Sequence, residues 1–416
     1  MFMTETINMK LIDNGLKLRK LGEVCTYSKG KKPAVLKETK TLDCSVPYIN
    51  IKAFEKGIIS EYTNGEKCNI CNDDDLLMVW DGARCGLIGK AKKGAVGSTL
   101  MKILPKENIH KEYLYHFISS KFWTLNTKPK GVGIPHIEPT LLWNFELVVP
   151  PLPEQQAIVA KIEALLSELE NGKQQLQTAQ QQLKVYKQSL LKWAFEGKLT
   201  NKNVKDGELP KGWKWVRLGD ILESVKNGYG KKPDDNGEKK ILRISSVRPN
   251  SVDFSDVRYL KNNLSIEYEV LENDLLFTRY NGSKDYVGVC GRVPNLAEKL
   301  FYPDKLIRCR PKIKEHYHSK YLQYASNCGA SRKFILSKLK TTAGQTGIAG
   351  GEIKQIPIPL APIEEQQLIV SELESKLTVC DKIEETISQS LQQAETLRQS
   401  ILKKAFEGKL VTNLKK

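Results

Sequence analysis

Two loops in this sequence combine lysine with glycine and proline: Lys29-Gly30-Lys31-Lys32-Pro33 and Tyr229-Gly230-Lys231-Lys232-Pro233. A glycine lets a backbone approach a ligand closely, and an ammonium beside it neutralises an anion. Lys31, Lys32, Lys231 and Lys232 are therefore read as phosphate contacts. Two later stretches repeat the composition: Lys128-Pro129-Lys130-Gly131-Val132-Gly133, and Lys338 through Gln345. Lys128, Lys130, Lys338 and Lys340 are of the same kind. Reading a base edge needs paired donors and acceptors, as Arg offers guanine and Gln or Asn offers adenine. The ends of two apolar, strand-like runs supply such groups. One run, from Asp75 to Gly82, offers Trp80 and, just beyond it, Arg84. The other, from Asp274 to Gly282, offers Arg279, Tyr280 and Asn281. Arg243 and Gln345 complete the set. An ordinary salt bridge, cap or solvated basic turn competes with a DNA role at each position.

Other chemistry is not visible. No Gly-x-Gly-x-x-Gly follows a strand, and Gly89-Lys90 is followed by Ala91, so there is no Walker A loop. His-Glu-x-x-His, Gly-x-Ser-x-Gly and the Asn-Pro-Pro-aromatic motif of base-amino methyltransferases are absent. The five histidines are scattered and form no acid–base set. Cys68-x-x-Cys71, with Cys44 and Cys85 as companions, is the one metal-like spacing. The second half has no counterpart, so reduced structural thiols are expected and no metal or other cofactor. Nine cysteines in no framework suit a reducing cytoplasm. No signal peptide and no run of about 18 apolar residues argues for a membrane. The net charge of +17, from 65 basic and 48 acidic residues, points to a polyanionic partner.

What positions these loops is built twice. One segment opens Pro151-Leu152-Pro153-Glu154-Gln155-Gln156 and closes Ala194-Phe195-Glu196-Gly197-Lys198-Leu199. The other opens Pro362-Ile363-Glu364-Glu365-Gln366-Gln367 and closes Ala405-Phe406-Glu407-Gly408-Lys409-Leu410. Glu154 and Glu365 stand 211 residues apart, as do Ser189 and Ser400. Apolar positions from Ile158 through Leu183, Tyr186 and Leu190 to Trp193 step by four and three. The second copy keeps this register through Leu373, Cys380, Ile383, Ile387, Ala394, Leu397 and Ile401. Gly172, Lys376, Ser390 and Lys404 fill imperfect slots. The pattern predicts two helices with heptad stripes, each a rod of about 65 Å, paired with one another. Proline fits the helix starts, and Gly197 and Gly408 fit the C-terminal caps. Residues 1 to about 15 read as a frayed leader. The globular stretches share landmarks. Leu18 to Val24 echoes Trp215 to Ile221 as a strand running into a helix start. Helices are expected at Lys111–Phe122 and His318–Leu336. The expected layout is 1–149 globular, 150–200 helix, 201–360 globular and 361–416 helix.

The doubled layout, the Pro-Leu-Pro-Glu-Gln-Gln and Ala-Phe-x-Gly-Lys-Leu helix ends, Leu218-Gly219-Asp220-Ile221 and Gly344-Gln345-Thr346-Gly347-Ile348 resemble the DNA-specificity subunit of type I restriction–modification systems. The resemblance runs from about Leu16 to Leu410. It implies an α+β fold with two target-recognition domains in pseudo-twofold arrangement, joined by two long helices in an antiparallel coiled coil. It implies double-stranded DNA as ligand, a bipartite asymmetric target with an unread spacer, and two modification subunits as partners. S-adenosylmethionine would sit on those partners, and restriction subunits would add ATP-driven translocation and cleavage. The first half departs from the pattern, with Ile134-Pro135-His136-Ile137 where the second has Gln345-Thr346-Gly347-Ile348. A self-contained nuclease or methyltransferase would be active alone. A basic coiled-coil scaffold for RNA would lack duplex specificity.

Overall fold

The computed structural model describes residues 17–130, 133–201, 203–261, 265–312, 317–342 and 345–407. The leader, Gly131-Val132, Ala343-Gly344 and the Gly408 cap lie outside them. The chain divides into two compact units, residues 1–177 with 388–416, and residues 178–387. Each therefore holds one globular body together with part of each long helix.

In the first unit the run Leu76–Val79 is buried at all four positions. Successive side chains of a strand face opposite ways, so one such run serves two cores. Leu76 and Met78 join the core shared with the helices, whereas Leu77 and Val79 join a smaller core with Ile49, Val96 and Leu100. The strand lies in an antiparallel sheet ordered Cys25–Lys29, Leu100–Pro105, Leu76–Val79, Ile88–Lys90. A second sheet, centred on Val46–Ile49 and Gly94–Val96 in parallel, covers the smaller core. The pair Lys17–Lys20 and Glu146–Val149 brings the ends of the globular stretch together.

The second unit repeats the plan. Its main sheet runs Leu222–Asn227, Leu306–Pro311, Leu275–Thr278, Cys290–Arg292. Lys214–Arg217 pairs with Pro357–Leu360. The Leu-Gly-acidic turns behave alike: the carboxylates of Glu23 and Asp220 accept the amides of Lys20 and Arg217. The helix expected over His318–Leu336 is instead two helices, Ser319–Ser326 and Gly329–Ser337. Asn327 breaks it, because its side chain bonds the backbone of Cys290 in both directions and the side chain of Asn250. The helix expected over Lys111–Phe122 similarly ends at Ser120, and another follows over Phe122–Thr127.

The long helices span Leu152–Phe195 and Ile363–Phe406, 44 residues each. They run antiparallel within each unit. Lys173 faces Glu395 in the first, and Lys187 faces Asp381 and Glu384 in the second. Gly197 has φ +76°, and a Cβ there would meet Pro210, so the cap requires glycine. The heptad stripe is only partly sealed. In the second helix Leu373, Cys380, Ile387, Ala394 and Ile401 are buried at a strict seven-residue spacing. The other lane, Lys376, Ile383, Ser390, Leu397 and Lys404, is not, and Ile383 and Leu397 are nearly half exposed. Tyr186 and Trp193 are exposed likewise, while Leu190 of the same stripe is buried and Ala194, rather than Trp193, takes the next buried position. Around Gly172 and Ser390, in the first unit, the helices leave a cleft of about 660 Å³.

The doubled helix ends have a structural explanation. Gln155, fully buried, accepts the amide of His110 at 2.8 Å and donates to the carbonyls of Asn108 and Pro150. Gln366 does the same with His318 and Ala361. Each ties a long-helix start to the loop that precedes a globular-domain helix. Phe406 packs edge-on against Tyr113 and Phe117, and Phe195 against Tyr321.

Candidate nucleic-acid interface

Each unit gathers three chain segments at one end of its main sheet. In the first unit, Trp80 at the end of the central strand donates its amide to Thr99, and its carbonyl accepts the amide of Ile137 at 3.0 Å. Gly82 donates to Pro135. In the second, Arg279 donates to Lys305, and its carbonyl accepts the amide of Ile348 at 3.0 Å. Tyr280 and Asn281 then pair with Gly347 and Thr346. Ile134-Pro135-His136-Ile137 and Gln345-Thr346-Gly347-Ile348 thus occupy the same backbone slot, although they share only the isoleucine.

The third segment is the basic loop. Gly30 donates to Leu100, and a Cβ on it would lie 2.1 Å from the Gly97 carbonyl oxygen. In the second unit the glycine with that environment is Gly228, which donates to Leu306 and would meet Pro303 and Tyr302 oxygens at 2.3 Å. Nothing lies within 4 Å of a Cβ on Gly230. Matching Gly30 with Gly230 by sequence is therefore corrected by two residues. Lys31 and Lys32 directly follow the close-approach glycine, whereas Lys231 and Lys232 stand three and four residues beyond theirs. All four lysines are exposed. The loop reaches the strand end through Lys29, whose ammonium lies 2.9 Å from Asp81. In the second unit Tyr229 bonds Asp304, next to Lys305.

The second unit brings most of its predicted residues together. Lys340–Thr342 and Gln345–Gly347 form a hairpin that adds to Tyr280–Asn281 as one small sheet. Thr341 and Thr346 hydroxyls bond across it at 3.1 Å. The Arg279 guanidinium lies 4.8 Å over the Tyr280 ring and donates to the Asp304 carbonyl. That arrangement holds a forked donor in place at the strand end. Gln345 and Lys340 are exposed, and Lys338 sits 5.6 Å from the Phe334 ring. The side-chain oxygen of Asn281, Oδ1, accepts the Ser283 amide. Arg243 is elsewhere, at the turn after Lys239–Leu242, paired with Asp256 at 3.0 Å.

The first unit differs more from expectation. Trp80 is a core residue, 8% exposed, packed toward Trp143, which stacks on Tyr27. Its side chain supports the strand end and is largely enclosed. Arg84 is exposed but paired with Glu55 at 2.9 Å, and Lys130 with Glu138 at 3.4 Å. Lys128 is exposed without a partner among the described residues. Lys29, at the head of its double-lysine loop, and the exposed Lys305 belong to these surfaces but are not among the contacts read from the sequence. Lys305 is a single lysine in a turn and carries no compositional signal, whereas Lys29 ends the strand Cys25–Lys29.

The cysteines form no ligand set among the described residues. Cys71 donates to the carbonyls of Lys92 and Gly94, and burial raises the pKa of Cys71 and Cys85. Among the described residues, one group of three ligand-type side chains is close together: Glu112, His116 and Glu163. No helix among the described residues is long and apolar enough to cross a membrane.

Residues 14–178 and 210–393 match the family described as Type I restriction modification DNA specificity domain. The EcoKI specificity subunit of Escherichia coli (strain K12) is 33% identical over 349 residues, covering 81% of this chain and 75% of that protein. The MjaVIII specificity subunit of Methanocaldococcus jannaschii is 29% identical over 412 residues, covering 95% and 93%. A solved chain from a study of assembly and conformational transition in the type I R-M system superposes with a TM-score of 0.70. It is 22% identical and covers 95% of this chain and 98% of that one.

Proposed function

The chain belongs to the type I restriction modification DNA specificity family, and from that premise we propose that each of its units reads one half of a split DNA target. Members of this family supply DNA specificity, and methylation and cleavage reside in other subunits. The observation that carries the reading is the repeated strand end: one backbone register, built twice, holding different side chains. A fixed frame with variable contents suits two modules doing one job on different sequences. In the second unit Arg279 and Gln345 read base edges, and Lys231, Lys232, Lys338 and Lys340 hold phosphates. In the first, Lys31, Lys32 and Lys128 hold phosphates, with the loop Ile134–Ile137 in the reading position.

The long helices space the half-sites and dock two modification subunits, with restriction subunits joining where the system has them. The unsealed lane of Ile383 and Leu397 supports the docking role, because apolar side chains on a rod are costly to leave in water. S-adenosylmethionine and ATP act on those partners, and the complex works in the cytoplasm. Selection of duplexes from a random library by the chain with its modification subunits tests the reading. Two specified blocks flanking an unspecified spacer are expected. One continuous block, or no sequence preference, overturns it.

A further inference from the structure

The helix Lys111–Ser120 sets Glu112 and His116 one turn apart on a single face, and the first long helix brings Glu163 against them. Their ligand-type atoms lie within 4.8 Å of one another. His116 is 5% exposed, and its Nε2 has no hydrogen-bond partner. That nitrogen is aimed at the Glu163 carboxylate, but at 3.9 Å it is beyond bonding distance. A buried polar atom left this way is rare and asks for a ligand.

The second unit shows what the junction looks like when its charges are matched. The same helix pair there carries Lys320, Tyr324 and Glu374 at the corresponding positions. The Lys320 ammonium lies 2.7 Å from Glu374, and Tyr324 bonds the same carboxylate. In the first unit the lysine is replaced by Glu112 and the tyrosine by an imidazole. A cation and a hydroxyl donor have become two lone-pair donors facing a carboxylate. We infer that the first unit binds a divalent transition-metal ion of the Zn²⁺ class between Glu112, His116 and Glu163, where the second uses the Lys320 ammonium. One imidazole and two carboxylates suit such an ion, with water completing the shell.

Ligands at about 2.1 Å from one ion stand about 3.4 Å apart. The cluster must therefore contract, and the Glu163 side chain, 55% exposed, has room to swing inward. Lys90 occupies one oxygen of Glu112 at 3.0 Å and leaves the other available. The positive charges of Lys90 and Arg398 act on His116, and both oppose a metal. The ion would pin the globular body to the long helix, independently of which DNA the unit reads.

Full-length protein, stripped with a chelator and kept reduced, is titrated with ZnCl₂ and separately with MgCl₂ by calorimetry. A single Zn²⁺ equivalent is expected, with no Mg²⁺ binding at the same concentrations. His116→Gln and Glu163→Gln each lower Zn²⁺ affinity at least about tenfold. Lys90→Gln raises it, and Glu374→Gln in the second unit leaves it unchanged. Glu163 is exposed enough that its variant folds even where His116→Gln does not. The Co²⁺-loaded protein shows visible ligand-field bands without thiolate charge transfer. Absence of Zn²⁺ binding, binding indifferent to both His116 and Glu163, or a thiolate band overturns the inference.

Discussion

Arg279 and Lys340 stand a few residues apart in space yet make opposite predictions. The Arg279 fork is fixed by the Tyr280 ring and the Asp304 carbonyl, so Arg279→Ala removes a placed donor pair. It should relax choice at one base pair, costing about 1–3 kcal/mol against the cognate base. Lys340 is exposed and unpaired among the described residues. Lys340→Ala should weaken binding to every duplex and flatten the slope of affinity against salt by about one unit. Anisotropy titrations at several salt concentrations separate the two, and the reverse pattern would exchange their roles. A buried amide makes a third case. Gln155→Leu strands the His110 amide and the Asn108 carbonyl, and should cost the first unit about 2–4 kcal/mol in equilibrium denaturation. The Glu-Gln-Gln motif was legible as a motif. Its role as a clamp was not, because the loop it grips lies 45 residues away in sequence.

Strand and helix positions follow closely from the pattern of residues, and their edges do not. The run Leu76–Val79 reads as a buried strand from composition alone, and a seven-residue period marks the long helices. Which lane of that period is sealed depends on the neighbour, so Tyr186 and Trp193 look interior in sequence and are exposed in the fold. Trp80 errs the other way: a polar-looking strand end hides a core tryptophan, because Trp143 arrives from 63 residues downstream. The basic loops show the same limit. Composition pairs Gly30 with Gly230, while hydrogen bonding pairs it with Gly228. The glycines can be distinguished experimentally. Gly228→Ala drives a Cβ into backbone oxygens at 2.3 Å and should destabilise the second unit, whereas Gly230→Ala meets nothing and should be tolerated. Comparable melting temperatures for the two variants would contradict the assigned register.

The two units each contain one globular body and parts of both long helices, so neither helix belongs to one unit alone. That sharing makes helix length a property of the whole molecule. Inserting four residues into one long helix should lengthen the unread spacer of the DNA target while leaving both half-sites intact. The doubled helix ends were legible because both copies keep them, and the antiparallel pairing was implied by the family resemblance. The target sequence was not, since it depends on side-chain placement to about an ångström at two strand ends. The claim that each unit reads its own half-site is tested most directly by methylome sequencing of cells expressing the chain with its modification subunits. Arg279→Ala is compared with the unaltered protein. The account predicts a bipartite methylated motif in which one half loses definition at a single position and the other half and the spacer are unchanged. Loss of definition in both halves, or a change in spacer length, would contradict it.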